Sequence, residues 1–458
     1  MPDGTISVNS QPKNALNMKK SILLILSLSS FIFNSCSTFL TGDGNAFVSV
    51  RGNQFLLNEK PYYFLGTNLW YGCYIGSPGE TGDRERLVNE LDLLKSLGIT
   101  NLRILAASEN SEIKNSLKPA IQIEPGVYNE ELLQGLDFLL DEMSKREMKA
   151  VIFLNNYWEW SGGMAQYNAW FGDGKVGDPE DPEFGWSGFM EFSAKFYSNQ
   201  KANKHFQNFI QKIITRRNTI NDLYYYNDPA IMSWQLANEP RPWGSGIQIE
   251  NYYRWIDSTA AYIHSLDPNH LVSTGSEGTM GSLVSEDYYL NAHKSKNVDY
   301  LTFHLWIKNW SWYDAKNADA TFDSAKIKAA DYILNHIRLA KLLNKPLVLE
   351  EFGIGRDLED YSINSTTKYR DEYYEMVFRL LYDNASEGSS IAGTNFWTWG
   401  GYGRAAHDDF KWRKGDGFTG DPPQEPQGLN SVFNCDKSTL EIISKYSKLI
   451  NELGVKKK

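Results

Sequence analysis

Two stretches of this sequence end an apolar run in acid. Ile231-Met232-Ser233-Trp234-Gln235-Leu236-Ala237 leads into Asn238-Glu239-Pro240-Arg241. Proline withholds a backbone donor and stops the regular run, so the pattern predicts a buried strand that delivers Glu239 at its C-terminal end. A carboxylate there is costly to desolvate, which a purely structural position seldom tolerates. The counterpart is Pro346-Leu347-Val348-Leu349-Glu350-Glu351-Phe352-Gly353. Two carboxyl groups facing each other from strand ends are what cleavage of a glycosidic bond requires. The chain therefore reads as a glycosidase. Glu350 and Glu351 compete for the second place; side chains alternate along a strand, so the two are expected to face opposite ways.

Such acids need a frame that aims them at one point, and the chain has one. Strand-like runs fall at 62–68, 99–105, 149–154, 230–237, 271–275, 300–306, 346–352 and 393–399. Helical patterns fall between them at 83–98, 130–146, 204–217, 252–266, 324–343 and 368–385, with a poorly defined one near 286–293 and a last one at 440–449. Leu87, Leu91 and Leu94 show the helical spacing, and Gly98 supplies a stop. Eight strands alternating with helices predict an α/β chain of the (β/α)8 TIM-barrel class, a single catalytic domain over residues 41–458. Residues 41–58 read as a linker and opening hairpin. Long segments after strands three and eight read as insertions at the C-terminal face, where barrels keep their chemistry.

Polar residues gather at that same end of the strands. Strand two ends in Arg103, strand three in Asn155 and Asn156, strand four in Asn238 and Glu239. Strand six carries His304 and Trp306, strand seven Glu350 and Glu351, strand eight Trp397 and Trp399. Any one alone reads as a satisfied core residue; six strands doing so at one end do not.

In this order, Arg103, Asn238-Glu239-Pro240, His304 and Glu351-Phe352-Gly353 resemble family 5 glycoside hydrolases. A second set is similar to that family's endo-β-1,4-mannanase branch: Asn155-Asn156-Tyr157-Trp158, Gly162-Gly163-Met164-Ala165-Gln166-Tyr167-Asn168-Ala169-Trp170, Trp234 to Arg241, and Asp421-Pro422-Pro423-Gln424. The resemblance implies Glu239 as general acid/base and Glu351, directly before the aromatic-Gly pair, as nucleophile. It implies Asn238 on the sugar 2-hydroxyl, Trp397 as the floor under the sugar (with Trp399 of the same parity an alternative), and Arg241 on the leaving-group side. Asn156, Trp158 and His304 join them as substrate-binding candidates. Trp306 stands where many members carry a tyrosine that bonds the nucleophile, so it joins the set with that bond in question. The acid should sit in a less polar site free of a direct cationic partner, while Arg103 is the cation for the nucleophile. Carboxyl groups about 5–5.5 Å apart would retain anomeric configuration through a glycosyl-enzyme.

The expected activity is that of a retaining endo-β-1,4-mannanase acting on β-mannan polysaccharide or manno-oligosaccharides. An exo-acting β-mannosidase or mannobiohydrolase is the alternative if the long loops wall off the cleft. A cellulase or xyloglucanase loses the motif after strand three, and a glycan-binding surface protein without activity would be expected to lack one of the acids.

Composition narrows the rest. A net charge of −10 with no Lys/Arg cluster argues against nucleic acid. Aromatic residues make up 14% of the chain, a supply of planes for the apolar C–H faces of sugars. The seven His are scattered without His-Glu-x-x-His, and Gly400-Gly401-Tyr402-Gly403 lacks the Lys-Ser/Thr of a phosphate loop, so neither a metal nor another cofactor is expected. Met18-Lys19-Lys20, a short apolar run and small residues before Cys36 read as an export signal over residues 1–40. Cys36 resembles the acylated cysteine of bacterial lipoproteins, which implies lipid anchoring at the cell envelope; a plain secreted form is the alternative. A Cys73–Cys435 disulfide is possible in an exported protein, though no spacing demands it.

Overall fold

A computed structural model describes residues 46–172 and 174–456. The expected leader, with Cys36, lies outside the described residues. Eight parallel strands form the centre: β1 (Phe64–Asn68), β2 (Asn101–Leu105), β3 (Lys149–Phe153), β4 (Ile231–Gln235), β5 (Leu271–Ser273), β6 (Leu301–Leu305), β7 (Leu347–Phe352) and β8 (Ile391–Phe396). Their order in the sheet is β5-β4-β3-β2-β1-β8-β7-β6. The two edges meet through a bridge between Ser273 and Tyr300 and an Asp299 N–H donated to the Val272 carbonyl at 2.8 Å. The chain is a (β/α)8 barrel. Every residue of these strands is buried, as expected for a sheet covered inside and out.

The surrounding helices are α1 (Arg84–Ser96), α2 (Glu130–Lys145), α3 (Gln200–Ile214), α4 (Ile247–Leu266), α5 (Glu286–His293), α6 (Ala318–Leu343), α7 (Lys368–Ser386) and α8 (Lys437–Lys456). In α1 the Asp83 carboxylate caps the first turn by accepting from the Arg86 N–H, and Leu87, Leu91 and Leu94 lie buried against the barrel. No described helix is long and apolar enough to cross a membrane.

Several elements depart from the sequence reading. The opening hairpin is a three-stranded antiparallel meander, Ser49–Arg51, Gln54–Leu57 and Lys60–Pro61. Its Phe55 packs on Phe64 and Tyr300 at centroid distances of 6.4 and 5.2 Å, closing the N-terminal mouth of the barrel. Strand eight ends at Phe396. Trp399–Gly401 belongs to a separate two-stranded ribbon with Val432–Phe433. Cys73, in a buried helical turn, and the exposed Cys435 are both free, so the possible disulfide is not made.

Two long insertions rise from the C-terminal ends of the strands. The one after β3 carries helices Gly163–Phe171 and Gly185–Ala194. Gly162 and Gly163 start it with φ of +87° and +59°, and a Cβ on Gly163 would fall 2.1 Å from the Asn156 carbonyl oxygen. The one after β8 is pinned by the buried Asp421 carboxylate. It accepts from the Gly428 and Asn430 N–H groups at 2.8 and 2.7 Å and from the Ser431 hydroxyl at 2.5 Å.

Candidate active site

Glu239 leaves the end of β4 with φ of +50°, a left-handed backbone that costs a non-glycine residue about 1–3 kcal/mol. Its N–H holds that turn by donating to the Gly275 carbonyl at 2.9 Å. The side chain is bound at both oxygens: Oε1 lies 2.6 Å from His304 Nδ1, and Oε2 accepts from Trp158 Nε1 at 2.6 Å. Glu351, on β7, accepts from Arg103 Nη1, and its second oxygen lies 3.2 Å from the same His304 nitrogen. Ligand atoms of Glu239, His304 and Glu351 all fall within 4.8 Å of one another. The acids are 6% and 3% exposed.

Arg103, fully buried on β2, organises the floor. Its Nε donates to Gln235 Oε1 at 2.8 Å, Nη1 to Asn68 Oδ1 at 3.1 Å as well as to Glu351, and Nη2 to Asn238 Oδ1 at 2.7 Å. Asn238 Nδ2 donates to Asn156 Oδ1 at 3.1 Å, and Asn156 Oδ1 also accepts the Trp158 N–H at 3.1 Å. Asn156 thus ties the Trp158 backbone and the Asn238 amide together.

The expectation that Glu350 and Glu351 face opposite ways fails, for a local reason. In the ladder with β6, Phe303 pairs with Leu349 but His304 pairs with Glu351, so Glu350 is an extra residue in a bulge. Both acids therefore reach Arg103. Glu350 Oε2 lies 3.8 Å from Arg103 Nε and accepts from Gln235 Nε2 at 2.7 Å, beneath the site, while Oε1 has no partner. Burial pushes its carboxyl above the usual range.

Trp397, 4% exposed, meets Trp306 edge-on at a centroid distance of 6.2 Å. Gly353 lets β7 close on it: a Cβ there would lie 2.2 Å from the Trp397 carbonyl oxygen. Trp399 is fully buried in the neighbouring ribbon. Arg241 lies over the Trp158 ring at 4.7 Å and donates to Glu277.

Sequence reading missed Glu277. It follows the three-residue β5 and also accepts from Trp310 Nε1 at 3.2 Å. Burial raises its carboxyl to about 7 despite Arg241. Gln235 and Asn68 were missed too: both lie within strand runs, where the sequence does not tell which face turns inward.

The environment of Glu239 also differs from expectation. Burial would raise its carboxyl, but the His304 hydrogen bond and charge, then Arg241 and the Trp158 N–H, outweigh it and hold it well down, at about 2. Burial would lower His304, but the charges and hydrogen bonds of Glu351 and Glu239 raise it to about 9. Both directions favour the charged pair, a carboxylate at Glu239 beside an imidazolium at His304. The acid has a direct cationic partner after all, because β6 brings His304 between the two carboxylates.

Among the described residues, Glu239, His304 and Glu351 are also the group whose atoms could surround a metal ion. Here Nδ1 already bridges both carboxylates, which puts a proton where a cation would bind. Two carboxyls this close, one beside a proton relay and one beside a guanidinium, suit double displacement at an acetal carbon; inverting pairs stand about 6.5–9.5 Å apart.

Residues 45–454 match the family model described as GH family 5 beta-mannosidase-like. A putative mannan endo-1,4-beta-mannosidase of Arabidopsis thaliana is 30% identical over 418 residues, covering 87% of this chain and 90% of the relative. A glycoside hydrolase family 5 mannosidase from Rhizomucor miehei superposes with a TM-score of 0.83 at 35% identity, covering 91% of this chain and all of that one. A mutant of it has been solved with mannosyl-fructose. The endo-β-1,4-mannanase of Thermotoga petrophila gives 0.62 at 25% identity, covering 86% of this chain and 78% of that one.

Proposed function

The chain belongs to the β-mannosidase-like glycoside hydrolases of family 5, and we propose that it hydrolyses β-1,4-mannosidic bonds with retention, working from the ends of short manno-oligosaccharides. The observation that carries retention is the spacing of Glu239 and Glu351 around His304. In the first step a Glu351 oxygen attacks the anomeric carbon, the glycosidic bond breaks, and Glu239 passes a proton to the leaving oxygen. In the second, Glu239 takes a proton from water, the water oxygen bonds the anomeric carbon, and Glu351 leaves. Asn238 uses one amide hydrogen on Asn156, leaving the other for the sugar 2-hydroxyl. Trp397 underlies the ring.

End-on action is favoured by how deeply the loops cover the site. Glu425, from the insertion after β8, has a buried Oε2 without a partner, and the charges acting on it include Asp421, Lys308, Glu351 and Glu159. Glu159, from the insertion after β3, has an unpartnered buried oxygen as well. Buried acceptors without donors are uncommon, and hydroxyls of a terminal sugar would supply those donors. The whole-chain likeness to the Rhizomucor miehei mannosidase supports action on mannosidic bonds.

Endo action is the second reading, favoured by the curated relatives, which are named mannan endo-1,4-beta-mannosidases. Digestion of mannohexaose separates the two. One small product from the outset, with little loss of mannan viscosity, supports end-on action; an early ladder of products overturns it. Proton NMR of the first product should show the β-anomer, and an initial α-anomer would refute retention.

Export and lipid attachment at Cys36 form part of the same proposal and rest on the leader sequence. Transfer of the protein from membrane to soluble fractions on Cys36→Ala substitution is the expected result.

A further inference from the structure

We propose that Trp186 is the platform for the second sugar on the leaving-group side of the cleaved bond, so that chain length beyond that bond governs binding. The inference rests on Glu239 as the acid. Of its two oxygens, Oε1 faces His304, which is fully buried and also contacts Glu351. Oε2 is held by the half-buried Trp158. Only the second contact can be exchanged for a substrate oxygen without dismantling the core, so the leaving sugar lies on the Trp158 side.

That side is walled in order. Arg241 covers the Trp158 ring and is fixed by Glu277, which Trp310 also holds. Trp186 continues the wall outward, its ring centroid 5.8 Å from that of Trp158 at 75°. It sits at the start of the short helix Gly185–Ala194, edge-on to Phe189 at a centroid distance of 6.3 Å. Phe189 and Ser193 are that helix's buried residues, and the Met190 carbonyl accepts the Tyr157 hydroxyl at 2.7 Å. Yet Trp186 is 49% exposed. An exposed aromatic plane one ring beyond the tryptophan that bonds the acid matches the apolar face of a pyranose.

Trp186→Ala and Trp186→Phe decide it, with kcat and KM measured on the disaccharide, trisaccharide and tetrasaccharide of the β-1,4 series and on nitrophenyl β-mannoside. The disaccharide and the aryl mannoside end one ring past the cut and should keep wild-type kcat/KM within about twofold. The longer substrates should lose about five- to tenfold in Trp186→Ala, through KM, and recover most of it in Trp186→Phe. Equal losses at every length, or none at any length, would overturn the proposal. Unchanged circular dichroism and melting separate a lost platform from a collapsed helix, and recovery in Trp186→Phe does so independently. The comparison runs on whichever β-1,4 series the wild type cleaves, so a wrong assignment of mannose leaves the length test intact.

Discussion

Replacing His304 with Asn keeps a donor near the Nδ1 position but removes the charge and the titrating proton. Burial is the strongest influence on Glu239, and it acts upward. Without the imidazolium, the carboxyl should climb from about 2 to beyond its ordinary 4.5, which at about 1.4 kcal/mol per pH unit is at least about 3.5 kcal/mol of lost preference for the charged form. The wild-type pair keeps its proton until pH rises through the value to which His304 has been raised, about 9. The alkaline limb of kcat/KM should therefore lie near there and belong to the pair, not to either residue alone. In the variant that limb should move down to where a buried lone carboxylic acid titrates. The base form needed for the second step is then scarcer and general catalysis weaker, so the optimum rate should fall about 10²–10⁴-fold. Stopped assays on mannotriose across the pH range, with dinitrophenyl β-mannoside as the substrate whose departure needs no proton, measure both effects. An alkaline limb in the same place in wild type and variant would refute the shared proton.

Further substitutions separate roles within the site. Glu351→Ala and Glu239→Ala should each abolish turnover of mannotriose with folding intact. Added azide should give an α-mannosyl azide with Glu351→Ala and a β-mannosyl azide with Glu239→Ala; interchanged products would exchange the two assignments. Arg103→Met leaves Glu350 and Glu351 buried without their cation and should cost about 3–5 kcal/mol of stability, read as a drop in the urea midpoint. Asp421→Ala strands two N–H groups and a hydroxyl, and should cost about 2–4 kcal/mol while opening the loop after β8 to limited proteolysis.

The barrel was legible because the strands are apolar runs and most helices repeat apolar residues on one face, both local patterns. Glu239 and Arg103 were legible for the same reason, as lone charges at apolar strand ends. Glu350 was not, since alternation assumes an unbroken ladder and the bulge opposite Phe303 and His304 is a property of two strands together. Glu277 escaped because β5 is three residues long and the acid stands four residues past its end. The proton between His304 and the acids was hidden for a different reason. Which groups crowd a carboxyl depends on how the sheet closes, and closure brings residues 239, 304 and 351 together from three separate strands. Trp399, the alternative floor, lies off the barrel because strand eight stops at Phe396 and Trp399–Gly401 pairs into another ribbon.

Two carboxylates within 4.8 Å repel each other, and a double displacement asks one of them to be acid first and base second. The His304 position answers both demands. Against burial, which lowers it, the Glu351 charge is the strongest influence raising the imidazole. When Glu351 bonds the anomeric carbon, its negative charge disappears, and that influence goes with it. The proton on Nδ1 then moves more readily to Glu239, 2.6 Å away, at the moment the leaving oxygen needs one. When water displaces Glu351, Glu239 accepts the proton that the water gives up, and the returning charge on Glu351 draws that proton on to the imidazole, which restores the starting state. Arg103 cannot perform this exchange, because a guanidinium does not titrate in this range. Its part is to hold Glu351, Asn238 and Gln235 at fixed distances while the proton moves between the other two residues. The acid and the nucleophile are therefore linked through one ring nitrogen, and the charge state of each step sets the protonation required by the next.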